Sequence, residues 1–191
     1  MHSGTMSAHP TARPSDDELL ARWAGGDSRA GNAFTRRFHP VLQQFLKTKV
    51  PPDDVEDLAQ QVWLALGGNF SRKGVEVRAS VKAYLLGIAR NVLFKHIRHK
   101  YRGITDPITT SIVALDPSLS QAVNLKIQAD RLRWALQTLP LDTQVLLELR
   151  YLHDLTTLAI AEIYDLPEGT VKSRLSRARA ILQETLRKCP T

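Results

Sequence analysis

Apolar residues recur at spacings of three and four along most of this chain, and no run alternates apolar with polar, so the pattern supports helices and no sheet. The expected fold class is all-α. Ser15-Asp-Asp-Glu18 has the form of a capping box and opens a helix through Trp23 that Gly25-Gly26 ends. A second helix starts near Asp27 or Ser28 and carries Ala33, Phe34, Phe38, Val41, Leu42, Phe45 and Leu46; Pro40 is expected to kink or divide it. After Pro51-Pro52, Asp53 or Asp54 is placed to cap a helix bearing Val55, Leu58, Val62 and Leu66, with Gly67-Gly68 as its stop and a polar loop from Asn69 to Ala79. From Ser80 to about Arg102 runs a long helix with Val81, Leu85, Ile88, Val92 and Ile97 on or near one stripe and basic residues on the remainder.

Residues 103–120, GITDPITTSIVALDPSLS, hold two Pro and no period, and separate this part from the C-terminal third of the chain. The expected organisation is a disordered tail over 1–14, a helical domain over 15–102, a flexible linker over 103–120 and a second small helical domain over 121–191. In the second domain Asp142 is placed to cap a helix with Val145, Leu146, Leu149 and Leu152. His153-Asp154-Leu155 breaks that helix, and Thr156 caps the next, which carries Leu158, Ile160, Ala161 and Ile163. Asp165-Leu166-Pro167 then makes a tight turn into the last helix, with Pro167 suited to a first helical position. Helix, short turn, helix is the expected motif. At about 100° per residue, Val171, Leu175, Ala178 and Leu182 share one face of the last helix. Thr170, Ser173, Ser176 and Arg177 lead the opposite face, flanked by Lys172, Arg174 and Arg179, a mixture of small hydroxyls and long bases suited to a major groove.

The charge balance agrees with a polyanionic partner. Lys plus Arg number 26 against 19 Asp plus Glu, a formal charge of +7, and the excess is clustered. Arg90, Lys95, Arg98, Lys100 and Arg102 occur with His96 and His99 in a stretch holding no acid, and Glu168 to Lys188 holds six bases against two acids. The single Cys189 excludes a disulfide framework and a thiolate metal cage. The first fourteen residues lack the apolar run of a signal peptide, and no segment approaches the apolar length of a membrane span, so a cytoplasmic setting is expected.

The strings TTLAIAEIYDLPEGTVKSRLSRARAIL and, before it, LQTLPLDTQVLLELRYL resemble region 4 of the extracytoplasmic-function (ECF) sigma factors. DVEDLAQQVWLAL and VKAYLLGIARNVLFKHIR resemble region 2 of the same family, so the likeness spans nearly the whole chain. The resemblance implies a sigma factor that binds RNA polymerase core, reads minus-35 and minus-10 promoter elements, and promotes melting, in the cytoplasm and associated with the nucleoid. It implies minus-35 contacts from Thr170, Lys172, Ser173, Arg174, Ser176, Arg177 and Arg179. Minus-10 contact and melting would fall to Phe70, Tyr84, Arg90, Asn91, Lys95, Arg98 and Arg102. Core polymerase would meet Asp54, Glu56, Asp57, Gln60 and Gln61. Promoter DNA, duplex and locally melted, is the other partner, and an anti-sigma factor is a further one the resemblance raises.

Four departures from the family pattern stand out. Gln61 and Tyr84 stand where the family often has Glu and usually Trp, and Asp165 replaces a common turn Gly. Asp tolerates the left-handed region better than most residues, so the turn is expected to survive. Leu158 and Ala159 stand where acids are common, leaving an apolar helix that either packs locally or faces a partner.

Other classes fare worse. His96 and His99 at three-residue spacing suggest half a metal site, but a Zn site needs three or four convergent ligands, and these two lie among cations. No cofactor, metal or catalytic residue is expected. A free-standing helix-turn-helix regulator would bind duplex DNA alone as a symmetric dimer. A polymerase-binding protein that had lost promoter recognition would lack the basic face.

Overall fold

The computed structural model describes residues 13–73, 80–103, 106, 109–111 and 128–188, with the backbone alone for 71–73 and 128–130. Eight helices are present among them: α1 (Asp16–Ala24), α2 (Ser28–Leu46), α3 (Pro52–Lys73), α4 (Val81–Lys100), α5 (Gln128–Gln137), α6 (Leu141–Tyr151), α7 (Thr157–Tyr164) and α8 (Glu168–Lys188). The described residues hold no strand beyond an isolated bridge of Ser111 with Pro140, so the all-α expectation is met.

Local chemistry sets most boundaries. The Ser15 hydroxyl accepts from the Glu18 amide at 3.1 Å, and Asp27 Oδ1 accepts from the Arg29 and Ala30 amides at 2.9 and 3.1 Å. Ser80 and Thr156 cap α4 and α7 in the same way, each at 3.1 Å. The Asp27 carboxyl is held below its usual range, first by its hydrogen bond from Arg22.

Four expectations need correction. Gly67-Gly68 do not stop α3, which runs on to Lys73, so Phe70 lies on a helix and not in a loop. The ring of Phe70 packs edge-on against Trp23, centroids 5.2 Å apart, and Leu66 is fully buried. Such burial outweighs the roughly 1 kcal/mol that each helical Gly costs. The remainder of the expected loop, 74–79, lies outside the described residues. Pro40 does not divide α2, which runs as one helix from Ser28 to Leu46. The proline removes the donor to the carbonyl of Arg36, an exposed residue on the solvent side of the helix, while Phe38, Leu42, Phe45 and Leu46 are buried. Asp53 and Asp54 stand in the first turn of α3, behind Pro52 at the first helical position, favourable to the helix dipole without capping. Asp142 is likewise inside the first turn of α6, which starts after Pro140 with no side-chain cap.

Helices α1 to α4 form one unit. α1 packs on α2, and α3 on α2 and α4, around Leu19, Phe34, Leu42, Phe45, Leu58, Leu66, Leu85 and Leu93. Trp23 lies on Gly31, where an added Cβ would sit 2.6 Å from the indole, so only glycine permits that approach. Helices α5 to α8 form the second unit, with α8 against α5, α6 and α7. The two units touch: α4 packs on α7, and the buried apolar residues of both halves make one continuous cluster. The expected tail lies outside the described residues except 13 and 14, as does most of the expected linker.

Candidate nucleic-acid interface

The last two helices are joined by a turn that local chemistry dictates. Asp165 sits in the left-handed region at φ 51° and ψ 51°, as its side chain permits, and its amide closes α7 onto the carbonyls of Ala161 and Glu162. The Leu166 amide also reaches Ala161 O at 3.0 Å, and Pro167 O accepts from the Thr170 amide at 2.9 Å to start α8. Pro167 therefore stands one residue before the helix. The Thr157 hydroxyl hydrogen-bonds Glu168 Oε1, tying the start of α7 to the start of α8. That bond, with Lys172 at 3.0 Å, holds the Glu168 carboxyl below its usual range.

The inner face of α8 is Val171, Leu175 and Ala178, all buried, with Leu182 half-buried. The outer face carries Lys172, Ser173, Arg174, Ser176, Arg177 and Arg179, all exposed, with Thr170 half-buried beside them. Ser173 donates to Thr170 O at 2.9 Å, and Arg174 lies 3.7 Å from Asp142. Arg177 and Arg179 form no ion pair or hydrogen bond among the described residues. A helix with one apolar face packed and two unpaired guanidiniums beside small hydroxyls on the other can follow a phosphate backbone and reach base edges.

A second basic stripe lies on α4. Asn91, Lys95, Arg98 and, just past the helix end, Arg102 follow spacings of four, three and four, so they share one side, and all are exposed. Lys95, Arg98 and Arg102 have no partner among the described residues. Arg90 differs: its guanidinium is tucked between the rings of Phe94 and Tyr164, at 4.3 and 4.1 Å, and reaches Asp142 at 3.3 Å. The two aromatic residues named for this site are half-buried; Tyr84 Oη accepts from Asn69 Nδ2 at 2.8 Å, and Phe70 packs on Trp23. His96 lies 3.4 Å from Asp54, and burial holds its imidazole below its ordinary pKa. No group of three or more His, Cys, Asp or Glu that could hold a metal ion occurs among the described residues.

On α3 the exposed side holds Glu56, Asp57, Gln60 and Gln61. Gln61 donates to Asp57 at 2.7 Å, and Glu56 lies 3.4 Å from His39. Asp54 is drawn away from this side to Lys100 at 2.8 Å, whose hydrogen bond lowers its pKa. One residue there escaped the sequence reading. Leu64 is 76 % exposed and, three and four residues from Gln61 and Gln60, completes their stripe. Its position opposite the buried Leu58, Val62 and Leu66 was the available signal. Tyr164 and Asp142, which hold Arg90, also escaped it, because nothing local links them. Of the two departures on α7, Ala159 packs locally and is buried, while Leu158 is 58 % exposed.

Two helical units, one ending in a helix-turn-helix with a basic outer face and the other carrying a second basic stripe, define a bipartite DNA-binding protein. Residues 34–103 match the family Sigma-70 region 2, and residues 129–182 match Sigma-70, region 4. The chain is 29% identical over 178 residues to the ECF RNA polymerase sigma factor SigC of Mycobacterium tuberculosis, covering 90% of this chain and 94% of that one. It is 30% identical over 152 residues to the RNA polymerase sigma factor HrpL of Pseudomonas syringae pv. syringae, covering 76% and 81%. Among solved structures, the sigma factor RpoE of Bartonella quintana, in complex with the anti-sigma factor NepR, aligns with a TM-score of 0.58 at 25% identity, over 81% of this chain and 97% of that one. The chain belongs to the ECF subfamily of the sigma-70 RNA polymerase sigma factors. The family is one of non-enzymatic initiation factors, and no helix among the described residues is long and apolar enough to cross a membrane.

Proposed function

We propose that the two basic faces divide the promoter between them: the outer side of α8 reads the minus-35 duplex, and the Asn91, Lys95, Arg98 and Arg102 stripe of α4 holds the strand freed at minus-10. The observation carrying this reading is that both helices bury one face and present unpaired cations on another. Phosphate contacts then supply affinity, while Ser173, Ser176 and Arg177 have the reach and size for base edges. Thr170, Lys172, Arg174 and Arg179 flank them on the same helix. Phe70 and Tyr84 keep a smaller part, since each ring already has a structural neighbour.

Core polymerase is assigned to the exposed side of α3, where Leu64 adds an exposed apolar side chain at the end of the polar stripe of Glu56, Asp57, Gln60 and Gln61, the mixture of apolar and polar groups that a docking patch uses. Asp54 contributes only on release from Lys100. The domain limits that go with this reading are 15–102 and 121–191, supported by the two family matches. The setting is the cytoplasm, with the nucleoid where the polymerase works. An anti-sigma factor is a natural regulator, as the Bartonella relative has one in its solved complex.

Run-off transcription with purified core polymerase and a pool of genomic promoters tests the reading. Transcripts from asymmetric promoters that depend on the added chain support it. A chain that binds palindromic duplex as a symmetric dimer, without affinity for core, would instead be a free-standing regulator.

A further inference from the structure

A cleft lies where the end of α2 meets α5 and α6, and none of its residues belongs to the basic faces or to the docking side of α3. Its volume is about 260 Å³, just short of the roughly 300–1,000 Å³ of small-molecule pockets, so it has room for a fragment-sized molecule. One wall is apolar: Leu132 and Leu136 of α5 and Leu152 at the end of α6 line it, with Leu132 and Leu152 exposed at its edge. Thr48, Gln137, Gln144 and Glu148 supply polar lining.

That polar lining is short of donors. The Gln137 amide nitrogen donates to Thr48 O at 3.2 Å, and the Gln144 amide nitrogen donates to Glu148 Oε1 at 2.9 Å. Each side chain is thus oriented by its nitrogen. Their oxygens, Gln137 Oε1 and Gln144 Oε1, are buried with no hydrogen-bond partner among the described residues. Both residues are more than nine-tenths buried. A buried acceptor left unmade forfeits its hydration for nothing, so two of them in one cleft call for a molecule that brings two donors.

Charge narrows the class of that molecule. Glu148, the carboxylate lining the cleft, already pairs with buried Lys49, and exposed Lys47 and Arg133 also line it. A cationic donor would be repelled by Lys47, Lys49 and Arg133, whereas a neutral amide N–H is not, and an amide carbonyl suits the ammonium of Lys47. Water alone would serve the two oxygens but leave the leucine wall wet. A molecule with an apolar body covers that wall as well.

We propose that this cleft binds a small neutral carboxamide, or a molecule with the same paired N–H donors, with its N–H groups on Gln137 and Gln144 and its apolar body on Leu132, Leu136 and Leu152. The site is separate from promoter and core recognition and does not depend on how those are assigned.

The test titrates benzamide, a primary amide with two N–H donors on an apolar ring, into the full chain and follows the glutamine side-chain amides by two-dimensional NMR. Saturable shifts at Gln137 and Gln144 are expected at about millimolar benzamide, as befits so small a molecule. Methyl benzoate has a similar shape without a donor, and benzylamine is a cationic donor; each should bind about tenfold more weakly or worse. Leu152→Trp fills the mouth without removing a buried group, and should weaken benzamide about tenfold while leaving the helical circular dichroism unchanged. Gln137→Met, of similar size, removes one acceptor and should erase most of the preference for benzamide over methyl benzoate. The absence of saturable shifts up to the solubility of benzamide would mean a cleft that holds water only, and overturns the proposal. Methyl benzoate or benzylamine binding as well as benzamide overturns it too, as does benzamide binding unaltered by Leu152→Trp.

Discussion

The two basic helices solve one problem differently. α8 turns its inner face to its own unit and leaves Arg177 and Arg179 unengaged among the described residues, so its basic outer face is open as it stands. α4 is buried on a broader surface, with Leu85, Leu86, Ala89, Leu93 and Phe94 all covered, and the cation at the edge of its stripe, Arg90, is spent on α6 and α7. Under the proposed division of the promoter, α8 presents its cations already unpaired, whereas Arg90 of α4 is held by Asp142 and Tyr164 and stands apart from the exposed stripe beside it.

The largest expected effects separate the two faces of each helix. Leu93→Ala in α4 and Leu175→Ala in α8 remove buried side chains and should each cost about 2–5 kcal/mol in urea unfolding. Two separate transitions, one for each variant, would show units that unfold independently; a single shared transition would show the joint core.

The pH dependence sharpens the comparison at the seam between units. Burial, with Lys49 and Lys82 adding repulsion against the attraction of Asp154, lowers His153 from 6.5 to about 4. An exposed imidazole binds a proton more readily than this one, so the packed state loses stability as pH falls through 6.5 toward 4, by about 2 kcal/mol between pH 7.5 and 5. The depressed carboxylates, Asp27, Asp54 and Glu168, lose their stabilisation only below their ordinary pKa values of 3.8 to 4.5, so this range belongs to His153 and, beside it, to His96, whose imidazole burial also lowers. Thermal melts that stay flat from pH 7.5 to 5, or a His153→Gln variant that keeps the wild-type slope, would remove the imidazole from the account.

Arg177→Ala should weaken minus-35 recognition by about 1–3 kcal/mol while leaving the urea midpoint unchanged, since its side chain is exposed and forms no ion pair or hydrogen bond among the described residues. Smaller still, replacing Lys95 and Arg98 together should reduce the salt slope of promoter binding by about two. It should also slow melting more than duplex binding, which permanganate reactivity at minus-10 reports.

What was legible in the sequence was local. Ser15, Asp27, Ser80 and Thr156 act within three residues of themselves, and the left-handed Asp165 follows from its own side chain. Local signals failed where tertiary burial outweighed them: Gly67-Gly68 read as a stop until Phe70 and Trp23 are seen to pack, and Pro40 as a break until the buried residues around it are counted. The exposed cations of both stripes were readable from helical spacing. Lys49 with Glu148, and Arg90 with Tyr164 and Asp142, join positions far apart in the chain, and no spacing rule reaches that far.

The division of the promoter is tested most directly by placing a photo-crosslinking side chain at Ser173 or at Asn91 in the assembled complex of chain, core polymerase and promoter. The account predicts that position 173 marks the upstream duplex near minus-35 and position 91 marks the melted strand near minus-10. Cross-links from both positions to one element, or from neither to DNA, would contradict it.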